Sequence, residues 1–134
     1  MPNPIITGYA EMWPREVFDI KGRDKLVPSI REKLKASGVY ILYRDDHPYY
    51  IGKTTGKLYD RIWAHANLPK DRYYNFWNFF STFVVPKKSH IEEVESILIA
   101  STPTQNRATP RIKKLKLAKL AKLLKKRRLI QIER

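Results

Sequence analysis

The sequence predicts a small α/β domain, one sheet with helices packed on it, followed by a basic tail. Along residues 27–101, segments with apolar residues four positions apart alternate with short runs of β-branched and aromatic residues. Charge then divides the chain. Residues 1–106 carry 15 basic and 12 acidic side chains, whereas residues 107–134 carry 12 basic side chains and one acid. We therefore expect three parts: an N-terminal extension with a short helix (1–37), a folded domain (38–106) and an amphipathic tail (107–134).

The composition narrows the class of protein. A chain of 134 residues is long enough for one ordinary domain. With no cysteine, the sequence excludes a disulfide scaffold, a thiol nucleophile and a cysteine-bound zinc, and we expect a cytoplasmic location. No apolar run approaches the roughly 18 residues that cross a bilayer. The net charge of +14 indicates a polyanionic partner, either nucleic acid or an acidic membrane surface.

The first 25 residues carry no assignable pattern, and the elements begin after them. A helix is predicted over residues 27–36, because Pro28 suits a first turn and Gly38 follows the last one. Gly38–Tyr43 and Tyr49–Gly52 then form a hairpin around the turn residues 44–48. If Tyr43 pairs with Tyr49, Tyr40 lies opposite Gly52 and shares a face of the sheet with Tyr50. Strand tyrosines are more often packing residues than catalysts.

Three further elements complete the domain. Residues 57–67 predict a helix, because Leu58, Ile62 and Ala66 recur every four positions. Residues 73–85 predict a strand that ends before Pro86. Ser89 and Glu92 resemble a capping box and predict a helix over residues 91–101.

Both of the later helices carry charged or titratable groups on the stripe that should face the sheet. These are Arg61 and His65 on the first helix and Glu95 on the second. Burying a charge costs several kcal/mol unless it is paired. Two interpretations follow: an interhelical salt bridge between Arg61 and Glu95 with His65 hydrogen-bonded at its edge, or a shared ligand site.

These residues resemble the signature of the GIY-YIG nucleases. Gly38-Val39-Tyr40 and Tyr50-Ile51-Gly52 match the two name-giving triplets, with Val39 in place of isoleucine. Lys53-Thr54 directly after the second triplet is typical of the family as well. The family's later polar residues follow in order over residues 38–106, as Arg61, His65, Glu95 and Asn106.

The resemblance implies a three-stranded antiparallel sheet flanked by helices and hydrolysis of phosphodiester bonds with one divalent ion, Mg²⁺ or Mn²⁺. Glu95 is the expected metal ligand and Arg61 the phosphate clamp. Tyr40 is the expected base, and it needs a nearby cation to lower its pKa. Tyr50 and His65 are expected to assist the reaction. The supporting residues are Gly38, Gly52, Lys53 and Asn106.

The tail predicts a basic amphipathic helix with three possible roles. It could bind nucleic-acid phosphates, lie on an anionic membrane or dock on the protein's own body. We favour phosphate contacts, which carry no base information. The residues expected to make them are Lys113, Lys114, Lys116, Lys119, Lys122, Lys125, Lys126, Arg127 and Arg128.

One other group of residues has two possible roles. Tyr73, Tyr74, Phe76 and Trp77 either stack on unpaired bases or form sheet core, and core is favoured.

The sequence thus predicts a metal-dependent endonuclease acting on DNA, duplex or branched, with no small-molecule cofactor and no membrane partner. The alternative is a non-catalytic nucleic-acid-binding module on the same fold.

Overall fold

The computed structural model describes residues 4–18 and 26–104. Asn106 and the whole predicted tail lie outside these residues. The elements in chain order are strand β1 (Gly8–Pro14), a 3₁₀ turn (Arg15–Phe18), helix α1 (Leu26–Lys33), strands β2 (Gly38–Arg44) and β3 (His47–Thr54), helix α2 (Leu58–Asn67), strand β4 (Phe79–Val84) and helix α3 (Lys88–Ser101). Among the described residues, no helix has the length and apolar character needed to span a membrane.

Within the described ranges the sheet has four antiparallel strands in the order β1-β4-β2-β3, so the expected three-stranded sheet is wrong. The added strand, β1, comes from the N-terminal segment that carried no assignable pattern. An irregularity between Ala10 and Trp13 interrupts its pairing with β4. Met12 there has a φ of 52°, and its amide donates to Ser81 Oγ at 3.0 Å. This bulge breaks the two-residue alternation that reveals a strand in a sequence.

The β2–β3 hairpin has the predicted register where it matters for the site. Tyr40 lies opposite Gly52, and Leu42 lies opposite Tyr50. The pairing then shifts, so Tyr43 lies opposite Pro48 and the predicted partner, Tyr49, is the extra residue of a bulge. The shift follows from a turn of only two residues, Asp45 and Asp46, which is shorter than predicted.

Helices cover the two faces of the sheet. Helices α1 and α2 share one apolar cluster with β2 and β4, in which Leu58 and Ile62 of α2 and Tyr40 and Leu42 of β2 are buried. Helix α3 packs on the other face, where Ile91 meets a second cluster formed by Val39, Ile41, Ile51 and Val85. The alternation of strand side chains therefore sends Tyr40 toward α2 and its neighbours Val39 and Ile41 toward α3.

Three predicted boundaries need correction. The strand expected over residues 73–85 is confined to β4, because residues 71–78 form turns after α2. Helix α3 begins at Lys88 with Lys87 as N-cap and no side-chain cap bond, so the capping box at Ser89 is wrong. The first helix spans Leu26–Lys33 and ends earlier than predicted. Helix α2 begins within one residue of the prediction, and its first amides donate to the carbonyl oxygens of Ala36 and Leu34.

Candidate active site

A chain of hydrogen bonds joins three residues between the sheet and α2. The hydroxyl of Tyr40 lies 2.8 Å from His65 Nε2. On the other side of the imidazole, Nδ1 lies 2.9 Å from each carboxylate oxygen of Asp71. Since a carboxylate only accepts, Nδ1 carries the proton and Nε2 accepts from the Tyr40 hydroxyl. His65 is therefore held as a neutral base directed at Tyr40.

Asp71 is the site residue that sequence reasoning missed. It lies in the turns after α2, where its carboxylate also accepts from the amide of Tyr73 at 2.8 Å. A weak signal existed, because a histidine on an apolar stripe needs a partner when buried. Asp71 is the only acid between Asp60 and Glu92 in the sequence. Only the turn geometry shows that this carboxylate reaches back to the helix.

Arg61 lies on the open side of the same group. Its Nε donates to the Tyr40 hydroxyl at 3.4 Å, whereas the rest of the residue is exposed to solvent. The Tyr40 hydroxyl thus lies between a neutral acceptor, His65, and a permanent cation. Tyr40 itself has no exposed surface.

Burial governs the protonation of this group. Burial, and then the neighbouring Tyr50, raise the pKa of Tyr40 above its ordinary value, and Arg61 opposes them only in part. The expected lowering of this pKa by a nearby cation is therefore outweighed. Burial also lowers the pKa of His65, against the opposing effect of Asp71. At neutral pH the resting state is a phenol hydrogen-bonded to a neutral imidazole.

Aromatic rings continue the site along the edge strand β3. Tyr50 lies 6.2 Å from Tyr40 between ring centroids and stacks on Tyr73 at 4.3 Å. Burial, and then Tyr73, raise the pKa of Tyr50. Of the four aromatic residues with two possible roles, Trp77 is buried in the core, whereas Phe76 is 47% exposed. None of the four lies in a strand.

Glu95 belongs to α3, the helix that packs on the other face of the sheet. Its Oε1 is 3.2 Å from Lys53 Nζ, and only 14% of its side chain is exposed. The salt bridge between Arg61 and Glu95 that the sequence left open does not form. The helices that carry them cover opposite faces of the sheet, and both charges act on Tyr50 of the edge strand β3. Glu95 still acts electrostatically on Tyr50, where it is among the groups that raise the pKa.

The two glycines of the triplets have steric roles. A Cβ atom on Gly38 would collide with the carbonyl oxygen of Phe83 in β4. A Cβ atom on Gly52 would collide with the ring and hydroxyl of Tyr40, the residue opposite it. Both glycines are needed for close approach, and Gly52 makes room for the site tyrosine.

The donor set offers little for a metal beyond one carboxylate. Within residues 4–18 and 26–104, no group of three or more histidine or acidic side chains is arranged to hold an ion. Glu95 can supply a single oxygen, which fits a Mg²⁺ or Mn²⁺ ion that keeps most of its ligands as water and substrate oxygens. Lys53 shares that carboxylate in this structure.

Comparison with known proteins identifies the family of the chain. The model of the GIY-YIG catalytic domain matches residues 36–116, more than half of the chain. The chain belongs to the GIY-YIG family. This domain defines a class of nucleases, which in general use divalent metal ions and act on DNA. No curated protein and no solved structure matches the chain.

Proposed function

We propose that this member of the family is a metal-dependent endonuclease that hydrolyses phosphodiester bonds in DNA. The observation that carries the proposal is the hydrogen-bonded chain Asp71–His65–Tyr40, with Arg61 on the Tyr40 hydroxyl. A partly buried carboxylate, an imidazole with a fixed tautomer and a hydroxyl, hydrogen-bonded in that order, form a system that can accept a proton.

Arg61 binds the phosphate. Its guanidinium is always charged and matches phosphate oxygens with two parallel hydrogen bonds, which are stronger than its single bond to a neutral hydroxyl. The side chain is exposed and its hydrogen bond to Tyr40 is long at 3.4 Å, so a phosphate draws it outward. That movement uncovers the buried Tyr40 hydroxyl at the moment substrate arrives.

Tyr40 then transfers a proton away from the attacking water. The water oxygen forms a bond to phosphorus, and the bond from phosphorus to the leaving sugar oxygen breaks. One proton of the water passes to Tyr40 as the Tyr40 proton passes to His65 Nε2, and the leaving oxygen takes a proton from solvent. Asp71 stabilises the imidazolium that forms, since its carboxylate lies 2.9 Å from Nδ1. Tyr50, half-buried beside Tyr40, orients the water.

Glu95 would hold the divalent ion. Mg²⁺ or Mn²⁺ bound there would neutralise charge on the phosphate that Arg61 also contacts. An ion held by Glu95 would compete with Lys53 for that carboxylate, and Lys53, which also lies 3.9 Å from Glu92, could then contact substrate phosphate. The basic tail is proposed as a nonspecific clamp on the DNA backbone, and the cytoplasmic location stays a prediction.

A second candidate function is a non-catalytic nucleic-acid-binding module. The complete burial of Tyr40 and the Lys53–Glu95 ion pair favour it, because both leave the resting site closed. Both proposals predict binding to nucleic acid, and only the first predicts cleavage.

The test is conversion of supercoiled plasmid to nicked or linear DNA with Mg²⁺, with Mn²⁺ and with EDTA. We expect cutting with either metal, none with EDTA, and loss of cutting in Glu95→Ala and Tyr40→Phe. Tyr43→Phe, three residues along the same strand, is the matched control and should cut like the wild type. Cutting by Glu95→Ala at the wild-type rate would overturn the metal assignment. Binding without cutting under every metal would favour the non-catalytic module.

A further inference from the structure

Three neighbouring aromatic rings lie beside the candidate site, and we call them the aromatic ledge: Tyr49 and Tyr73, which are partly buried, and Phe76, which is exposed. The rings of Tyr49 and Phe76 are parallel to within 7°, with centroids 6.0 Å apart. Phe76 is 47% exposed, although burial of an apolar phenyl ring would stabilise the fold. Phe76 therefore offers apolar aromatic surface to a ligand.

The hairpin bulge creates the ledge. In a regular strand, successive side chains such as Tyr49 and Tyr50 point to opposite faces of the sheet. Here Tyr49 is the extra residue of the bulge, and both tyrosines contact Tyr73, at 6.2 Å and 4.3 Å between centroids. Bulges of this kind re-aim side chains next to functional sites.

The ledge is continuous with the candidate active site. From Phe76 through Tyr49, Tyr73 and Tyr50 to Tyr40, each ring lies 4.3–6.2 Å from the next. This spacing is comparable to the separation of neighbouring nucleotides in a single strand. A strand whose phosphate lies at Arg61 therefore passes the ledge within a few nucleotides.

Charge around the ledge favours a base over a phosphate. The exposed acids Asp45 and Asp46 form the hairpin turn close to Tyr49 and repel a phosphate. On the other border, the guanidinium of Arg72 lies 5.7 Å from the centroid of the Tyr73 ring. A neutral base can stack on the exposed ring of Phe76 while its backbone runs on the Arg72 side.

We infer that the aromatic ledge binds an unpaired nucleobase next to the scissile phosphate, so that the substrate is DNA with a bulge, flap or other unpaired nucleotide. Inside a duplex, neighbouring base pairs cover both faces of each base, whereas an unpaired base can leave the stack and present a face to Phe76. Stacking on an aromatic side chain is tolerant of base identity. The inference rests on the proposed function, because it assigns the substrate of that same site.

The experiment measures binding of the full chain in EDTA, where a nuclease cannot cut. Fluorescein-labelled duplexes that differ only in one unpaired thymidine, either bulged or in a short flap, are compared with a fully paired duplex by anisotropy. We expect tighter binding of the unpaired substrates by about 5- to 150-fold. Phe76→Ala should abolish this preference while leaving duplex affinity unchanged, and Phe76→Trp should keep it.

Two controls keep the test decisive. Phe76→Leu retains apolar bulk without an aromatic face, so it replaces Phe76→Ala if that variant unfolds, and it should lose the preference. Replacement of the unpaired thymidine by 5-iodouracil should give a photocrosslink to Tyr49 or Phe76, located by mass spectrometry. Equal affinity for paired and unpaired DNA, or an unchanged preference in Phe76→Leu, would overturn the inference. If the protein prefers DNA with an unpaired nucleotide but shows no metal-dependent cutting, the inference about the aromatic ledge stands and the nuclease proposal is wrong.

Discussion

His65 lies on the same stripe of α2 as Leu58 and Ile62, yet both of its ring nitrogens have hydrogen-bond partners. Burial lowers its pKa, so the unfolded chain binds more protons than the folded chain as the pH falls below about 6.5. Folding stability therefore declines in acid as this imidazole is forced to charge. Above that range the imidazole is neutral and able to accept the proton of Tyr40.

Replacement of Asp71 by asparagine tests the role of its carboxylate. An asparagine amide donates to Nδ1, which moves the imidazole proton to Nε2 and leaves no acceptor for Tyr40. We expect the cleavage rate to fall by roughly 10²–10⁴, the usual contribution of positioned acid–base groups. Asp71 also raises the pKa of His65, so residual activity in the variant should persist to lower pH than in the wild type.

The pH–rate profile separates this role from a structural one. The pH–rate profiles of Asp71→Asn and the wild type are compared at a temperature at which both proteins stay folded. Asp60→Asn, on the exposed side of α2, is the control. If the cleavage rate falls at the same acidic pH in Asp71→Asn and in the wild type, Asp71 does not act through His65.

At the scale of elements, the hairpin brings the two triplets into contact and the glycines set how closely they approach. Gly52 lies opposite Tyr40, and the volume that a Cβ atom would occupy is filled by the Tyr40 ring and hydroxyl. This contact explains why residue 52 is a glycine. Backbone conformation does not require it, because the φ of Gly52 is not positive. The glycine of the second triplet therefore makes room for the tyrosine of the first.

Gly52→Ala should damage both the stability and the site. The added methyl group must push the buried Tyr40 ring out of place, and overpacking of this kind costs about 1–3 kcal/mol. We expect a lower melting temperature and cleavage near the level of Tyr40→Phe. Gly56→Ala is the matched control, because a Cβ atom there meets Thr54 Oγ1 at an ordinary 3.5 Å. Equal melting temperatures for the two variants would contradict the steric explanation.

Strand β1 extends the folded domain beyond the segment that the triplets define. It pairs with β4, and the 3₁₀ turn after it places Phe18 in the core, where it is 6% exposed. We expect removal of residues 1–18 to lower the melting temperature strongly and to cause aggregation, because β4 becomes an unprotected edge strand. Removal of residues 1–3 alone is the control. A truncated chain that melts like the wild type would show that β1 is dispensable.

At the scale of the whole molecule, positive charge is concentrated in residues 107–134, whereas the rest of the chain is nearly neutral. If this segment binds the DNA backbone, its contribution depends on salt and not on base sequence. The body then supplies the chemistry and the preference for an unpaired base, and the tail supplies affinity.

Replacement of Lys113, Lys114, Lys116 and Lys119 by glutamine tests the clamp. Each phosphate contact that is lost should reduce the slope of log affinity against log salt concentration by about 0.9. Cleavage should persist at low salt, because the candidate active site is unchanged. Replacement of Lys33 and Lys35, exposed residues at the end of α1 and just after it, is the control. An unchanged slope in the tail variant would remove the clamp from the proposal.

Local patterns were enough for the hairpin, for helix α2 and for the register that sets Tyr40 opposite Gly52. They failed where a strand has irregular backbone, as at Met12 in β1, and where aromatic residues occupy turns, as at Phe76. Periodicity describes only regular backbone, so both failures lie at irregular segments that tertiary contacts hold in place.

The sequence by itself determined the family, through the order of the triplets and the polar residues after them, because those residues are close together in the chain or lie on predictable helix faces. Only the tertiary structure decided which charges meet. Arg61 donates a hydrogen bond to Tyr40, and Glu95 forms a salt bridge with Lys53, since α2 and α3 cover opposite faces of the sheet. The turns after α2 likewise bring Asp71 to His65. These contacts depend on packing and on turn geometry, which no spacing in the sequence records.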